Sequence, residues 1–244
     1  MSAEVRTLDL EALVLEKGSH PVDGPQGPYC VMEAAAYIAG ERHSDEPDCV
    51  SPVIGAFLRR WNDDLPDVER QRLKPYIVRV IGTSASEEVE EKRAWLVTDW
   101  MVRVHTPAWL ELAGMKEQAA EVRALAPILS PAGARAAQQT IDSARSAAAA
   151  AMAAARDAAG AAAGAAAGAA AGAAAWAAAR AAAMAAARAA AWAAARDAAG
   201  AAAGDAAGDA AWAAAAARKA LAPTVLDLQT SAFELLDALI EAGA

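Results

Sequence analysis

Between residues 146 and 218 nearly every residue is alanine, and from Met152 onward every fourth position is something else. Those positions read Met152, Arg156, Gly160, Gly164, Gly168, Gly172, Trp176, Arg180, Met184, Arg188, Trp192, Arg196, Gly200, Gly204, Gly208 and Trp212, with no slip of register. Such a run is expected to be helical, and a step of four residues advances about 40° around a helix. The marked positions therefore spiral slowly, and the choice of residue compensates for the spiral. With Met152 as zero, Gly160 to Gly172 fall at about 80° to 200° and Gly200 to Gly208 at about 120° to 200°. Trp176, Arg180, Met184, Arg188, Trp192 and Arg196 run from about 240° round to 80°, and Trp212 lies over Trp176. One face is glycine; the bulky and basic groups take the other.

Each glycine inside a helix costs about 1 kcal/mol against alanine, a penalty that close approach of a second backbone offsets. The competing reading is expansion of a simple Ala/Gly/Arg repeat without any selected packing. A larger repeat is also present. The run from Arg156 and Asp157 to Gly164 recurs from Arg196 and Asp197 to Gly204, and each copy runs on to a tryptophan and then an arginine. Two similar helical units suit an antiparallel hairpin or a self-associating rod.

The composition changes near residue 130, so we divide the chain into an all-α head (1–130), an Ala-rich tetrad-repeat helical region (131–222) and an amphipathic C-terminal helix (223–244). Of the net charge of -9, residues 1–130 carry -8, residues 131–218 carry +2 and the remainder -3. An acidic head argues against nucleic-acid binding there. The first residues lack the pattern of a signal peptide, and two cysteines suit a reducing, cytoplasmic setting. Residues 158–179 are uncharged and long enough to span a bilayer, but alanine and glycine lack the apolar surface that drives insertion, so a membrane partner is not expected.

Within the head, Val5, Leu8, Ala12 and Leu15 predict a short amphipathic helix over residues 4–17, closed by Gly18. Residues 30–40 read as a helix ended by Gly40, and Ser51-Pro52 as a cap and first residue of another. Here the head resembles a family of uncharacterised bacterial and phage-borne helical proteins. The resemblance is carried by Cys30-Val-Met-Glu-Ala-x-Ala-Tyr-x-Ala-Gly-Glu-x-His43-Ser-Asp45, by Cys49-Val-Ser-Pro-Val-Ile54, and by Trp61-Asn-Asp63. It covers roughly residues 8–126 and implies a shared helical domain, with no activity to carry over.

Further along, Pro75 should interrupt a helical run, and Ser84 with Glu87 suggests a capping box for a helix reaching Val104. The buried stripe of that helix is Val89, Leu96, Trp100 and Val104. Its opening acidic run, 87–91, is expected to be solvated. Thr106-Pro107 starts a helix that ends at Gly114, and residues 115–125 make the last helix of the head. At the C-terminus Val225, Leu228, Ala232, Leu235 and Leu239, with Leu226, Phe233, Leu236 and Ile240 beside them, form a wide apolar stripe. From the helical spacing of their apolar residues, residues 1–130 are expected to fold without the tail.

Chemistry is sparse. His20, Cys30, His43 and Cys49 offer nitrogen and sulfur ligands, but without metal-site spacing, so no metal or cofactor is expected. Cys30 at a helix N-terminus is a candidate thiolate nucleophile, with His20 or His43 as base and Asp45 orienting it. The plainer reading makes Cys30 and Cys49 packed thiols and His105 a capping or surface residue.

Three function classes result. The first is a structural or interaction protein that self-associates through the helix-packing face of Gly160, Gly164, Gly168, Gly172, Gly200, Gly204 and Gly208. The second is a thiol-dependent enzyme around Cys30. The third is a surface binder using Trp176, Arg180, Arg188, Trp192, Arg196 and Trp212 against nucleic acid, anionic lipid or ice. Overall acidity weighs against nucleic acid. The absence of threonine between Thr140 and Thr224 weighs against ice.

Overall fold

The computed structural model describes residues 7–21, 27–183 and 188–244; for 158–183 and 188–214 it describes the backbone alone. The protein is all-α: the described residues contain no strand beyond an isolated bridge between Leu15 and Tyr29.

Helix α1 (Val31–Ile38) starts from a capping box in which cysteine stands where serine or threonine is usual. Cys30 Sγ accepts from the Glu33 N–H at 3.4 Å, and the Glu33 carboxylate accepts from the Cys30 N–H at 2.8 Å. Gly40, at φ +72, takes the left-handed conformation that ends the helix. Ser51 caps α2 (Pro52–Asp64), its Oγ accepting from the Ile54 N–H at 3.3 Å, with proline at the first helical position. A short α3 (Asp67–Arg70), a 3-10 turn (Gln71–Leu73) and α4 (Lys74–Arg79) follow. Pro75 thus segments the run as expected, seated in the first turn of α4 where its missing N–H is harmless.

Two local expectations change. Residues 7–17 are not helical: the Asp9 carboxylate accepts from the N–H groups of Glu11 and Ala12, a local turn that competes with helix. Leu13 and Leu15 are then buried while Val14 between them is 64% exposed, a period of two. Helix α5 (Glu87–Trp100) starts behind Ser86 and not from a Ser84 box; the Ser84 N–H donates to the Cys49 carbonyl at 3.2 Å. A π-helical turn (Met101–His105) separates α5 from α6 (Thr106–Leu112), and Val104 is exposed. The fully buried residue of α5 is Arg93, flanked by half-buried Val89, Leu96 and Trp100.

The chain divides into two compact units. The first comprises Met1–Thr106, Arg123–Ala137 and Leu228–Ala244; the second comprises Pro107–Val122 and Gln138–Asp227. In the first, α1 packs against α2 and α4, and α2 against α5. Its core joins Tyr29, Val31, Met32, Ile54, Leu58, Leu73 and Ile77 to Leu235, Leu236 and Leu239 from the C-terminal stripe. An aromatic layer extends it: Phe233 lies 4.6 Å from Trp61 and stacks at 5.6 Å on Tyr76, while Phe57 meets Trp61 at 5.5 Å and Trp100 at 6.3 Å. The head's core thus draws on residues that a division at 130 leaves outside.

In the second unit, Gly114 at φ +79 turns the chain between α6 and α7 (Lys116–Arg123), with Ala119 and Val122 buried. The long helices α8 (Pro131–Ala183) and α9 (Arg188–Glu241) run from one unit into the other. Pro223 lies inside α9, so the C-terminal stripe is the last part of a longer helix. Val225 and Leu226 are exposed, and its burial begins with Ala232. Among the described residues no helix is long and apolar enough to cross a membrane.

Candidate functional site

Of the titratable residues singled out in the sequence, His20, Cys30 and His43 converge on the first turn of α1, around a carboxylate that was not among them. Glu33 is fully buried. Its Oε2 accepts from the Cys30 N–H at 2.8 Å and from His20 Nδ1 at 2.7 Å; its Oε1 accepts from the His20 N–H at 2.5 Å. His43 Nε2 stands 3.5 Å from Oε1 and donates to the His20 carbonyl at 2.5 Å. Burial alone would raise the Glu33 pKa. The backbone N–H groups of Cys30 and His20, with the His20 imidazole, outweigh burial and hold it below the usual carboxylate value.

The acid that faces both imidazoles is therefore Glu33. Asp45, the residue assigned that part from the sequence, contributes its main-chain carbonyl to Arg59 Nη1 at 2.9 Å. Arg59 also pairs with Glu46 at 2.9 Å. Asp45, Arg59, Arg60, Asp63, Gly18, Ser19 and Cys30 line a cleft of about 390 Å³. Asn62, also buried, ties the surrounding backbone together by accepting from the Val31 N–H and donating to the Glu16 carbonyl.

Cys30 is 2% exposed. Desolvation pushes its thiol up to about 12, against the Glu33 N–H bond that favours thiolate, and the Glu33 charge adds to the rise. A helix N-terminus lowers a thiol pKa only where the sulfur remains solvated, and here burial wins. Cys49 is raised to about 11, by burial first and then by Glu41, whose carboxylate accepts from the Cys49 and Asp48 N–H groups at 2.8 Å. This geometry fits the packed-thiol reading of both cysteines. Among the described residues no group of three or more His, Cys, Asp or Glu is arranged to hold a metal ion.

A second polar centre lies in the same unit. Arg93, 1% exposed, donates to the Leu239 carbonyl at 2.8 Å, the Thr83 carbonyl at 2.6 Å and Glu90 Oε1 at 2.7 Å. Glu90 Oε2 in turn accepts from Ser51 Oγ at 2.5 Å, so this member of the acidic run is drawn into the structure. The guanidinium satisfies a carbonyl in the last turn of α9, where a cation also suits the helix dipole. His105 sits in the π turn, 5.4 Å from the Trp100 ring, and burial lowers its pKa.

The sequence held a signal for Glu33, since it stands three residues after Cys30 at the reciprocal position of a capping box. For Arg93 it held none, because an arginine beside Lys92, just after a run of glutamates, reads as a surface residue. The proposed glycine face (Gly160, Gly164, Gly168, Gly172, Gly200, Gly204, Gly208) and the Trp/Arg face (Trp176, Arg180, Arg188, Trp192, Arg196, Trp212) lie outside the described side chains, and Met184 lies outside the described residues. Comparison with protein-family models, with curated proteins and with solved structures found no match.

Proposed function

We propose that the protein is a structural or interaction protein: its Ala/Gly-rich helices pack closely, on each other or on those of a second copy, and the first unit anchors them. The observation that carries this reading is topological. Residues 123–137 and 228–244, on either side of the Ala-rich stretch, belong to the same compact unit. The chain leaves that unit in α8 and rejoins it in α9, as the two arms of a hairpin of similar helices would. Glycines gathered on one face supply the close approach.

Replacing Gly160, Gly164, Gly168 and Gly172 together by alanine tests the proposal in the full chain. Helix propensity alone raises stability by about 1 kcal/mol per site. If the glycine face is a packing surface, the added methyl groups push the backbones apart, and the variant loses melting temperature or self-association measured by light scattering. A variant that only gains stability, with unchanged mass in solution, would identify the glycines as unselected repeat and sink the proposal.

A further inference from the structure

One buried carboxylate, Glu33, is shared by two imidazoles, and through them two loops are tied to the first turn of α1. Residues 16–21 are held by the His20 ring and N–H, residues 41–48 by His43. The second observation is a defect in this otherwise satisfied arrangement: His43 Nδ1 is buried and has no hydrogen-bond partner. With Nε2–H donating to the His20 carbonyl, neutral His43 leaves Nδ1 a bare acceptor. A proton added there becomes a buried donor without an acceptor.

Among the described residues, the charged and titratable groups around the pair are few. From α1 there is Glu33, with Cys30 at its cap; from the segment before α1 there is Tyr29, whose ring centre is 6.0 Å from that of His43. From its own loop His20 meets Glu16 at 4.0 Å, an exposed carboxylate. From α2, Asp63 accepts from the Gly18 N–H at 2.7 Å, and Arg59 holds Glu46 and the Asp45 carbonyl. Among the described residues, Glu33 is the one buried carboxylate facing either ring.

We propose that residues 16–21 and 41–48 form a proton-released cover over the N-terminus of α1, opened when the unpartnered His43 Nδ1 takes up a proton. Both loops also line the cleft at Cys30, through Gly18, Ser19 and Asp45. Opening therefore uncovers the thiol. Imidazole is the side chain whose charge changes between about pH 5 and 8, so the device works within the physiological range. The direction follows from linkage: opening gives an Nδ1 proton water as its acceptor, whereas the closed arrangement gives it none, so acid favours opening.

The test uses the full chain and 4,4′-dithiodipyridine, a disulfide that labels thiols in acid as well as at neutral pH. Labelling at Cys30 is read by mass spectrometry against N-acetylcysteine labelled in parallel, which corrects for the reagent; Cys49 does not serve, because Glu41 of the 41–48 loop binds its N–H. From about pH 7.5 to about pH 5.5 the ratio of the Cys30 rate to that of N-acetylcysteine is expected to rise about tenfold, while the far-ultraviolet dichroism stays constant. In His43→Gln, which keeps a donor for the His20 carbonyl and cannot be charged, the ratio is expected to stay flat. A flat wild-type ratio, an equal rise in His43→Gln, or a rise that accompanies loss of helix would overturn the proposal. Should His43→Gln fail to fold, the wild-type labelling curve is compared with the titration of the His43 ring by NMR; midpoints that do not coincide also overturn it.

Discussion

Glu33 shows how one side chain organises a neighbourhood that its own helix cannot. As the third residue of α1 it completes the cap with Cys30, and because it is fully buried it must find further donors, which the His20 N–H and ring supply. Its depressed pKa means that the unfolded chain binds the proton more readily. The stability it contributes is therefore present above the ordinary carboxylate value and lost as pH falls through the lower, folded value. Glu33→Gln is expected to flatten the acid limb of a plot of unfolding free energy against pH; an unchanged acid limb would remove Glu33 as its origin. Cys30→Ala removes a packed sulfur, and at about 1 kcal/mol its cost is measurable by urea denaturation. Arg93→Met leaves Glu90 and the Thr83 and Leu239 carbonyls without their donor, and costs about 3 kcal/mol in the same assay. A loss under about 0.5 kcal/mol would show that water replaces the guanidinium at low cost.

Among the elements, the end of α9 is the most consequential. Residues 228–241 supply the core of the first unit with Leu235, Leu236 and Leu239 and its aromatic layer with Phe233, while Asp237 binds Tyr76 at 3.0 Å and Arg79 at 2.8 Å. Arg72 lies over the Phe233 ring at 4.6 Å, and the Trp100 indole N–H donates to Ser231 Oγ at 3.1 Å. Leu236→Ala, at a fully buried position, is expected to cost about 3 kcal/mol, whereas Leu226→Ala, at a position 57% exposed, stays within about 0.5 kcal/mol. Equal effects of the two, measured by denaturation, would mean that the C-terminal segment does not dock in solution.

For the whole molecule, this docking changes what a truncation should do. Ending the chain at residue 130 removes three fully or nearly buried leucines and the partners of Tyr76, Arg79 and Arg93, so the remaining fragment is expected to bind 8-anilinonaphthalene-1-sulfonate and to melt without a sharp transition. A fragment that melts cooperatively without binding the dye would show the head to be an independent domain. The π turn between α5 and α6 and the proline inside α9 both fall within five residues of a boundary between the two units. Each interrupts regular α-helical hydrogen bonding, by an extra residue in one case and a missing N–H in the other.

The sequence by itself determined what depends on neighbours along the chain. The four-residue spacing of an alanine run, Ser51-Pro52 as a helix start, and Gly40 and Gly114 as helix ends each rest on backbone propensity or capping, which act within a few residues. Tertiary structure decided the rest, because burial is a property of three-dimensional neighbours. It made residues 7–17 a turn and then a short extended stretch where spacing suggested helix, since Leu13 and Leu15 together reach the core from a strand-like backbone. It drew Arg93 inside, since the Leu239 carbonyl, far along the chain, converges there with oxygens of Thr83 and Glu90, and it chose Glu33 over Asp45, since a buried carboxylate must find donors within reach. The apolar stripe after Pro223 announced a partner without naming it, and folding supplied one from α2, α4 and α5.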